Sequence, residues 1–248
     1  MSATPVFFVS SGRSGTQMME KLFQGFAEVE LHHEYLVHLV QPLAVRFYLG
    51  LASLDEVVAR LGDWHGAAAH YSSATLWGDS SNKLAWLVPA LERVFPGARY
   101  VHLVRDGRKV VSSFLHKLGD ECYDGRSTAI LQAHVDDPAR HPAPPPEKKY
   151  WWNLPRTNDP RAAAFRRYDQ FQRICFHWGE VNRVLLRDLV AVPPARRRLY
   201  KLEDLTAQPA TLRDLLEFLG LRYRDEHFAL MQRPHNVSIP EDFPLDDP

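Results

Sequence analysis

Residues 5–10, PVFFVS, form an unbroken apolar run, the pattern of a strand buried on both faces of a parallel sheet. The run gives way to a polar, glycine-bearing loop at Ser11–Gly15, and Thr16–Phe26 reads as a helix. A second apolar segment, AEVELHHEYL, covers 27–36. Residues 37–70 read as two helices, with Ser53 and Glu56 spaced as a capping box for the second. TLWGDSS at 75–81 suits a short strand that ends in a polar loop. From Lys83 to Phe95, Leu84, Leu87, Val88, Leu91 and Val94 recur at helical spacing, and Pro96-Gly97 ends the element. ARYVHLV at 98–104 predicts another buried strand, and GRKVVSSFLHK the helix after it. Strands and helices alternating in this order predict a three-layer α/β fold with a central parallel sheet.

The regularity lapses over 118–160, where HPAPPPEKK and KYWWNLPRTNDP show no period. Such a stretch is a flexible insertion or an ordered lid. Tyr150, Trp151 and Trp152 within it either wall a substrate or pack as a hydrophobic staple. A long helix is expected over 161–190, with Phe165, Tyr168, Phe171, Ile174, Cys175, Trp178 and Val181 on one side. RRLYKL gives a last strand, and Pro209 opens a helix through Leu219 that Gly220 closes. No internal repeat divides the chain, so 1–248 is expected to be a single domain carrying 118–160 as a lid or insertion.

Lys and Arg (30) balance Asp and Glu (30), which argues against a nucleic-acid binder while leaving room for a local basic patch. Cys122 and Cys175 are too few for a disulfide framework or a zinc site, and read as free thiols of a reducing compartment. No apolar run has the length of a membrane span, and the strand at Pro5 leaves no room for a signal peptide. A cytoplasmic protein is expected. Nothing indicates its oligomeric state.

A strand feeding a glycine-bearing turn and a helix N-terminus makes an anion site from backbone N–H groups and the helix dipole. The ATP-binding version needs Gly, four spacers, then Gly-Lys-Ser/Thr. Here Gly12 and Gly15 are three apart and no Lys follows Gly15, which speaks against an ordinary ATPase or kinase. Arg13 instead offers a planar fork suited to phosphate or sulfate. Alone, the turn could be purely structural. A second feature changes the balance. Arg105 ends a strand, where open α/β sheets bind ligands, and Ser113 follows two helical turns later. Two anion sites at one sheet edge suit a nucleotide with phosphates at both ends of its ribose.

GRSGT followed by RDGRKVVSS resembles the sulfotransferases that use 3′-phosphoadenosine 5′-phosphosulfate (PAPS). The first motif is similar to their P-loop-like 5′-phosphosulfate loop, in the Arg-Ser-Gly-Thr form of tyrosylprotein and many bacterial sulfotransferases. The second resembles their 3′-phosphate motif, and YKLEDLTAQPATLRDLLEFLGL at 200–221 their C-terminal strand and helix. The resemblance implies that Ser11, Gly12, Arg13, Ser14, Gly15, Thr16 and Gln17 hold the phosphosulfate and that Arg105 and Ser113 hold the 3′-phosphate. It implies that Glu34, 21 residues after Arg13, is the general base, with His33 as the runner-up. Arg13 would also stabilise charge in the transition state. PAPS would be the co-substrate and no metal would be needed. The acceptor would be a hydroxyl or amine of a small molecule, carbohydrate, lipid or peptide. A protein that binds the nucleotide without catalysis is the alternative.

Three departures stand out. Many relatives carry a Lys before a Ser/Thr in the loop ahead of the helix at 83. This chain reads GDSSN, so Ser80 or Ser81 would meet ligand without a cationic partner. Leu202 stands where a Tyr is usual, which leaves the adenine contacts undefined. The Arg-Lys-Gly tail motif is absent, with Arg233, Asn236 or Ser238 as substitutes. Elsewhere, His32, His33 and His38 match no metal spacing, Arg108 and Lys109 suit an exposed helix face, Asp106 orients Arg105 or caps the next helix, and Trp178 suits core.

Overall fold

The computed structural model describes residues 3–233. Asn236 and Ser238 lie outside the described residues. In chain order the elements are β1 (Thr4–Ser10), α1 (Thr16–Phe23), β2 (Val29–His33), α2 (Val37–Leu49), α3 (Leu54–Leu61) and, after a π-helical turn at Gly62–Gly66, α4 (Ala67–Tyr71). Then come β3 (Leu76–Ser80), a 3₁₀ turn at Asn82–Trp86, α5 (Val88–Val94), β4 (Arg99–Val104), α6 (Gly107–Leu118) and α7 (Gly125–Asp136). A 3₁₀ turn at Lys148–Tyr150 precedes α8 (Ala162–Phe165), α9 (Gln170–Leu189), β5 (Arg197–Lys201), α10 (Leu202–Ala207), α11 (Pro209–Phe218) and α12 (Asp225–Met231).

The strands form one parallel sheet in the order β2-β3-β1-β4-β5, so the fold is the expected three-layer α/β. Side chains alternate across a strand, and β1 buries both sets. Phe7 and Val9 join the layer of α2, α3, α5 and α9, while Val6 and Phe8 join that of α1, α11 and α12. β1 therefore lies at the centre, and all five carboxyl ends open on one edge. The chain leaves β1 toward β2 and β3 on one side and returns to β4 and β5 on the other. The loop after β1 sits at that switch point.

The differences from the expected elements have local causes. The helix expected over 83–95 is divided, because Pro89 at the start of α5 cannot continue a hydrogen-bond ladder from Asn82–Trp86. The helix expected over 161–190 breaks before Gln170. Asp169 and Gln172 form a reciprocal capping box there, and Phe171 is left 54% exposed instead of joining the apolar side. Ser53 does cap α3 by accepting from the Glu56 amide at 3.1 Å. The stretch 118–160 contains α7, whose start is capped by Asp124. Only Ser127 and Leu131 of α7 are buried, too few to give a period. From the same stretch, Trp151, Trp152, Leu154, Cys122 and Tyr123 are buried with Val110, Val111 and Phe114 of α6 and Ile174 and Phe176 of α9. No helix among the described residues is long and apolar enough to cross a membrane.

Gly78, in the middle of β3, shows how closely the central strands approach. A β-carbon there would fall 2.3 Å from the Val6 carbonyl oxygen and 2.6 Å from Val6 Cγ1. Neither backbone can yield without disturbing the pairing of β1. Gly78→Ala is therefore expected to cost about 1–3 kcal/mol in stability, read as a lower urea midpoint at unchanged slope.

Candidate active site at the carboxyl edge of the sheet

The loop after β1 is wound by residues in the left-handed region: Gly12 at φ 86°, Arg13 at 54° and Gly15 at 92°. Successive turns of this kind aim backbone N–H groups inward as an anion nest. The Gly12 amide donates to Ser10 Oγ at 3.0 Å, and the Ser14 hydroxyl donates to the Gly12 carbonyl at 3.0 Å. Neither glycine can be replaced freely. A β-carbon on Gly12 would lie 2.8 Å from the side-chain amide of Asn82, and one on Gly15 would lie 2.7 Å from Leu202 Cδ1. Leu202 thus fills the space over the loop with an apolar side chain. Gly15 is also the N-cap of α1 and supplies no side-chain cap, so the dipole end of the helix faces the nest.

Cations converge on one side of this loop. Arg13 Nε donates to Ser113 Oγ at 2.9 Å, and Arg105 Nη1 donates to the Arg13 carbonyl at 2.8 Å. Lys117 lies one turn beyond Ser113 on α6. Burial, and then the charges of Arg13 and Arg105, push its ammonium below the usual lysine range. Burial and Arg105 likewise lower Arg13. Lys117 is thus repelled by Arg13 and Arg105, and an anion between the three would relieve the repulsion. Asp106 caps α6 by accepting from the Arg108 amide at 2.9 Å and pairs with the exposed Arg108 side chain, while the Asp106 amide donates to Glu203. Trp178 packs on Gly107 and donates to the Arg105 carbonyl at 3.3 Å.

On the other side of the loop lies a second cluster. Glu34 follows the last residue of β2 in a left-handed conformation, φ 55°. Its neighbour Tyr35 is fixed because the backbone N–H donates to Asp79 Oδ1 at 3.2 Å; His65 holds the other oxygen of this fully buried carboxylate at 3.2 Å. Lys83, from the turn after β3, is buried, with its ammonium 4.3 Å from the centre of the Trp152 ring. The Asn82 amide bridges the two charges, donating to Glu34 Oε1 at 3.1 Å and accepting from Lys83 Nζ at 3.2 Å. Lys148 closes the cluster with an ion pair to Glu34 Oε2. Burial drives Lys83 down to about 8, with Glu34 opposing the fall. Burial raises Glu34, but Lys83 and Lys148 beside it more than offset this and hold it below the ordinary glutamate range.

Comparison with solved structures bears on the fold. A sulfotransferase domain from the curacin biosynthetic pathway superposes with a TM-score of 0.53 at 17% identity, over 94% of this chain and 79% of that one. A sulfotransferase domain from the Synechococcus PCC 7002 olefin synthase gives 0.52 at 18%, over 96% and 80%. A sulfotransferase from Alicyclobacillus acidocaldarius gives 0.50 at 13%, over 90% and 83%. The chain has the sulfotransferase fold. No protein-family profile and no curated protein matches the sequence.

Within the sulfotransferase fold, the residues singled out in the sequence fall into the two clusters. Ser11, Gly12, Arg13, Ser14, Gly15, Thr16 and Gln17 form the loop and the start of α1, with Arg105 and Ser113 on its far side and Glu34 and His33 on its near side. Arg13 leans toward Ser113, so its guanidinium joins the group expected at the opposite end of the nucleotide. His33 lies beside Glu34, and its Nδ1 bonds the Ser80 carbonyl at 2.9 Å. The expectation that this edge lacks a lysine is corrected. Lys83 supplies one, two residues after Ser81 rather than before it, and Ser81 instead accepts from the Lys83 amide at 3.1 Å. Lys148 and Lys117 were also missed. Lys117 stands at i+4 from Ser113, a spacing that the sequence displays. No group of His, Cys, Asp and Glu suited to a metal occurs among the described residues.

The charges of this edge depend on one another. Glu34→Gln leaves Lys83 buried beside a neutral amide, and is expected to cost on the order of 2 kcal/mol at pH 7. Adding Lys83→Met should recover part of that loss, because the stranded cation is gone. Urea denaturation of the two single variants and the double variant measures the coupling.

Proposed function

We propose that the protein transfers a sulfuryl group from PAPS to a hydroxyl or amine acceptor. The observation that carries this reading is the pair of cationic clusters flanking one anion nest, with the Glu34 carboxylate paired to lysine in the near one. The far cluster of Arg13, Arg105, Lys117 and Ser113 suits a 3′-phosphate. The nest and Lys83 suit the phosphosulfate. Glu34 then stands where an acceptor proton must be removed as the new S–O bond forms. Displacement at sulfur is in line, by analogy with phosphoryl transfer, so the leaving bridging oxygen gains negative charge. The nest N–H groups and Lys83 meet that charge, and Arg13 joins them by swinging its guanidinium from Ser113 toward the nest. Once the donor sulfate balances Lys83, that ammonium depresses Glu34 less and the carboxylate becomes a better base. A binding protein without catalysis would share the nucleotide site, and turnover separates the two.

Adenosine 3′,5′-bisphosphate is expected to bind at least about tenfold more tightly than 5′-AMP, since charge-assisted bonds from the far cluster contribute roughly 1.5–3 kcal/mol each. Equal affinities in titration calorimetry would remove the basis for PAPS. Arg13→Ala should lower turnover by about a hundredfold or more, and Arg13→Lys should recover only part, because a point charge replaces a fork. Glu34→Gln should lower turnover by about 10²–10⁴ while nucleotide affinity holds or rises. His33→Ala should do much less. Normal sulfate transfer by Glu34→Gln alongside an inactive His33→Ala would move the base to the histidine.

A further inference from the structure

Lys148 is the cation of this edge that the donor does not require. PAPS carries about four negative charges. Arg13, Arg105, Lys117 and Lys83 lie around the nest and match them. Lys148 instead pairs with Glu34 Oε2, which is the oxygen open to an acceptor because Oε1 faces the Asn82 amide. The Lys148 backbone is held in place. Gln41 of α2, 2% exposed, donates through Nε2 to the carbonyls of Lys148 at 3.1 Å and Trp151 at 2.6 Å. Trp151, 3% exposed, donates in turn to the Pro145 carbonyl at 2.8 Å. Only the side chain of Lys148 is therefore free to give way, and its charge stays within one side chain's reach of Glu34.

An acceptor hydroxyl that engages Oε2 takes the place of this ammonium. The reaction then makes matters worse for Lys148, since Glu34 becomes neutral when it accepts the proton. A half-buried cation loses its partner at the moment of transfer, and that loss is unfavourable unless another anion arrives. We infer that the acceptor of this site is a hydroxy carboxylic acid whose carboxylate pairs with Lys148 while its hydroxyl meets Glu34. Leu36, the N-cap of α2, and Leu39 in its first turn, 39% and 46% exposed, give the remainder of such an acceptor an apolar surface. This inference rests on the sulfotransferase reading above.

The test measures binding to the protein saturated with adenosine 3′,5′-bisphosphate, by calorimetry. The probes are 3-(4-hydroxyphenyl)propionate, 12-hydroxydodecanoate and their methyl esters. The expected result is that at least one acid binds about tenfold or more tightly than its ester. Lys148→Met should erase the difference and Lys148→Arg should keep it, with bisphosphate affinity unchanged in both. No binding of either acid at millimolar concentration overturns the inference. So do equal affinities of acid and ester, or a preference that survives Lys148→Met. Failure of the underlying reading would show separately, as loss of discrimination between the bisphosphate and 5′-AMP.

Discussion

Lys83 is a cation withdrawn from water, and its requirements organise the mouth of the sheet. A buried ammonium must have its charge and its protons answered. Asn82 accepts one hydrogen bond, the Trp152 face lies against the charge, and Glu34 supplies the counter-charge. Each of these partners comes from a different part of the chain. Glu34 follows β2, Asn82 follows β3, and Trp152 belongs to the irregular stretch between α7 and α8. Holding one lysine in place therefore requires three connections to finish at the same edge. Its ionisation near pH 8 makes it responsive, because an anion arriving beside it restores the proton that burial would remove.

The irregular stretch is joined to the phosphate loop from behind as well. His177 of α9 is buried, and burial lowers it to about 3, so its ring stays neutral. Nε2 lies 2.9 Å from the Ser11 carbonyl, and Nδ1 contacts Asn153 and, at 3.2 Å, the Tyr123 hydroxyl. Tyr123 also donates to the Asn153 carbonyl at 2.8 Å. A neutral imidazole with one N–H keeps this contact unchanged across ordinary pH. The same segment thus meets the loop through a polar relay and meets Lys83 through an aromatic face.

What the sequence displayed was what short range encodes. The loop at Ser11–Gly15, the strand-end Arg105 and Ser113 two turns later are legible because each motif lies within a dozen residues and has a fixed geometry. Glu34 was legible only through its distance from Arg13. Lys83 stands in plain view, but it follows the serines instead of preceding them, and the helical period through Leu84 and Leu87 assigns it to a helix that does not form as one piece. Lys148 had no local signal at all. Its place depends on Gln41, more than a hundred residues earlier, holding two carbonyls of a segment without period. The break before Gln170 was encoded by Asp169 and Gln172, and the apolar pattern running through Phe165 and Phe171 concealed it.

β1 has both of its partners, β3 and β4, far downstream. During synthesis β1 precedes both partners: β3 is complete only at Ser80, and β4 only at Val104. The second partner follows β1 by roughly ninety residues, or on the order of 5–20 seconds of synthesis. Until Ser80 is made PVFFVS is a bare apolar strand with two unsatisfied edges, and until Val104 it still has one, the kind of segment that associates with other chains. The central position that later gives β1 a partner on each edge also makes it the strand that must wait for both, and assembly of the anion nest becomes a late event in the life of the nascent chain.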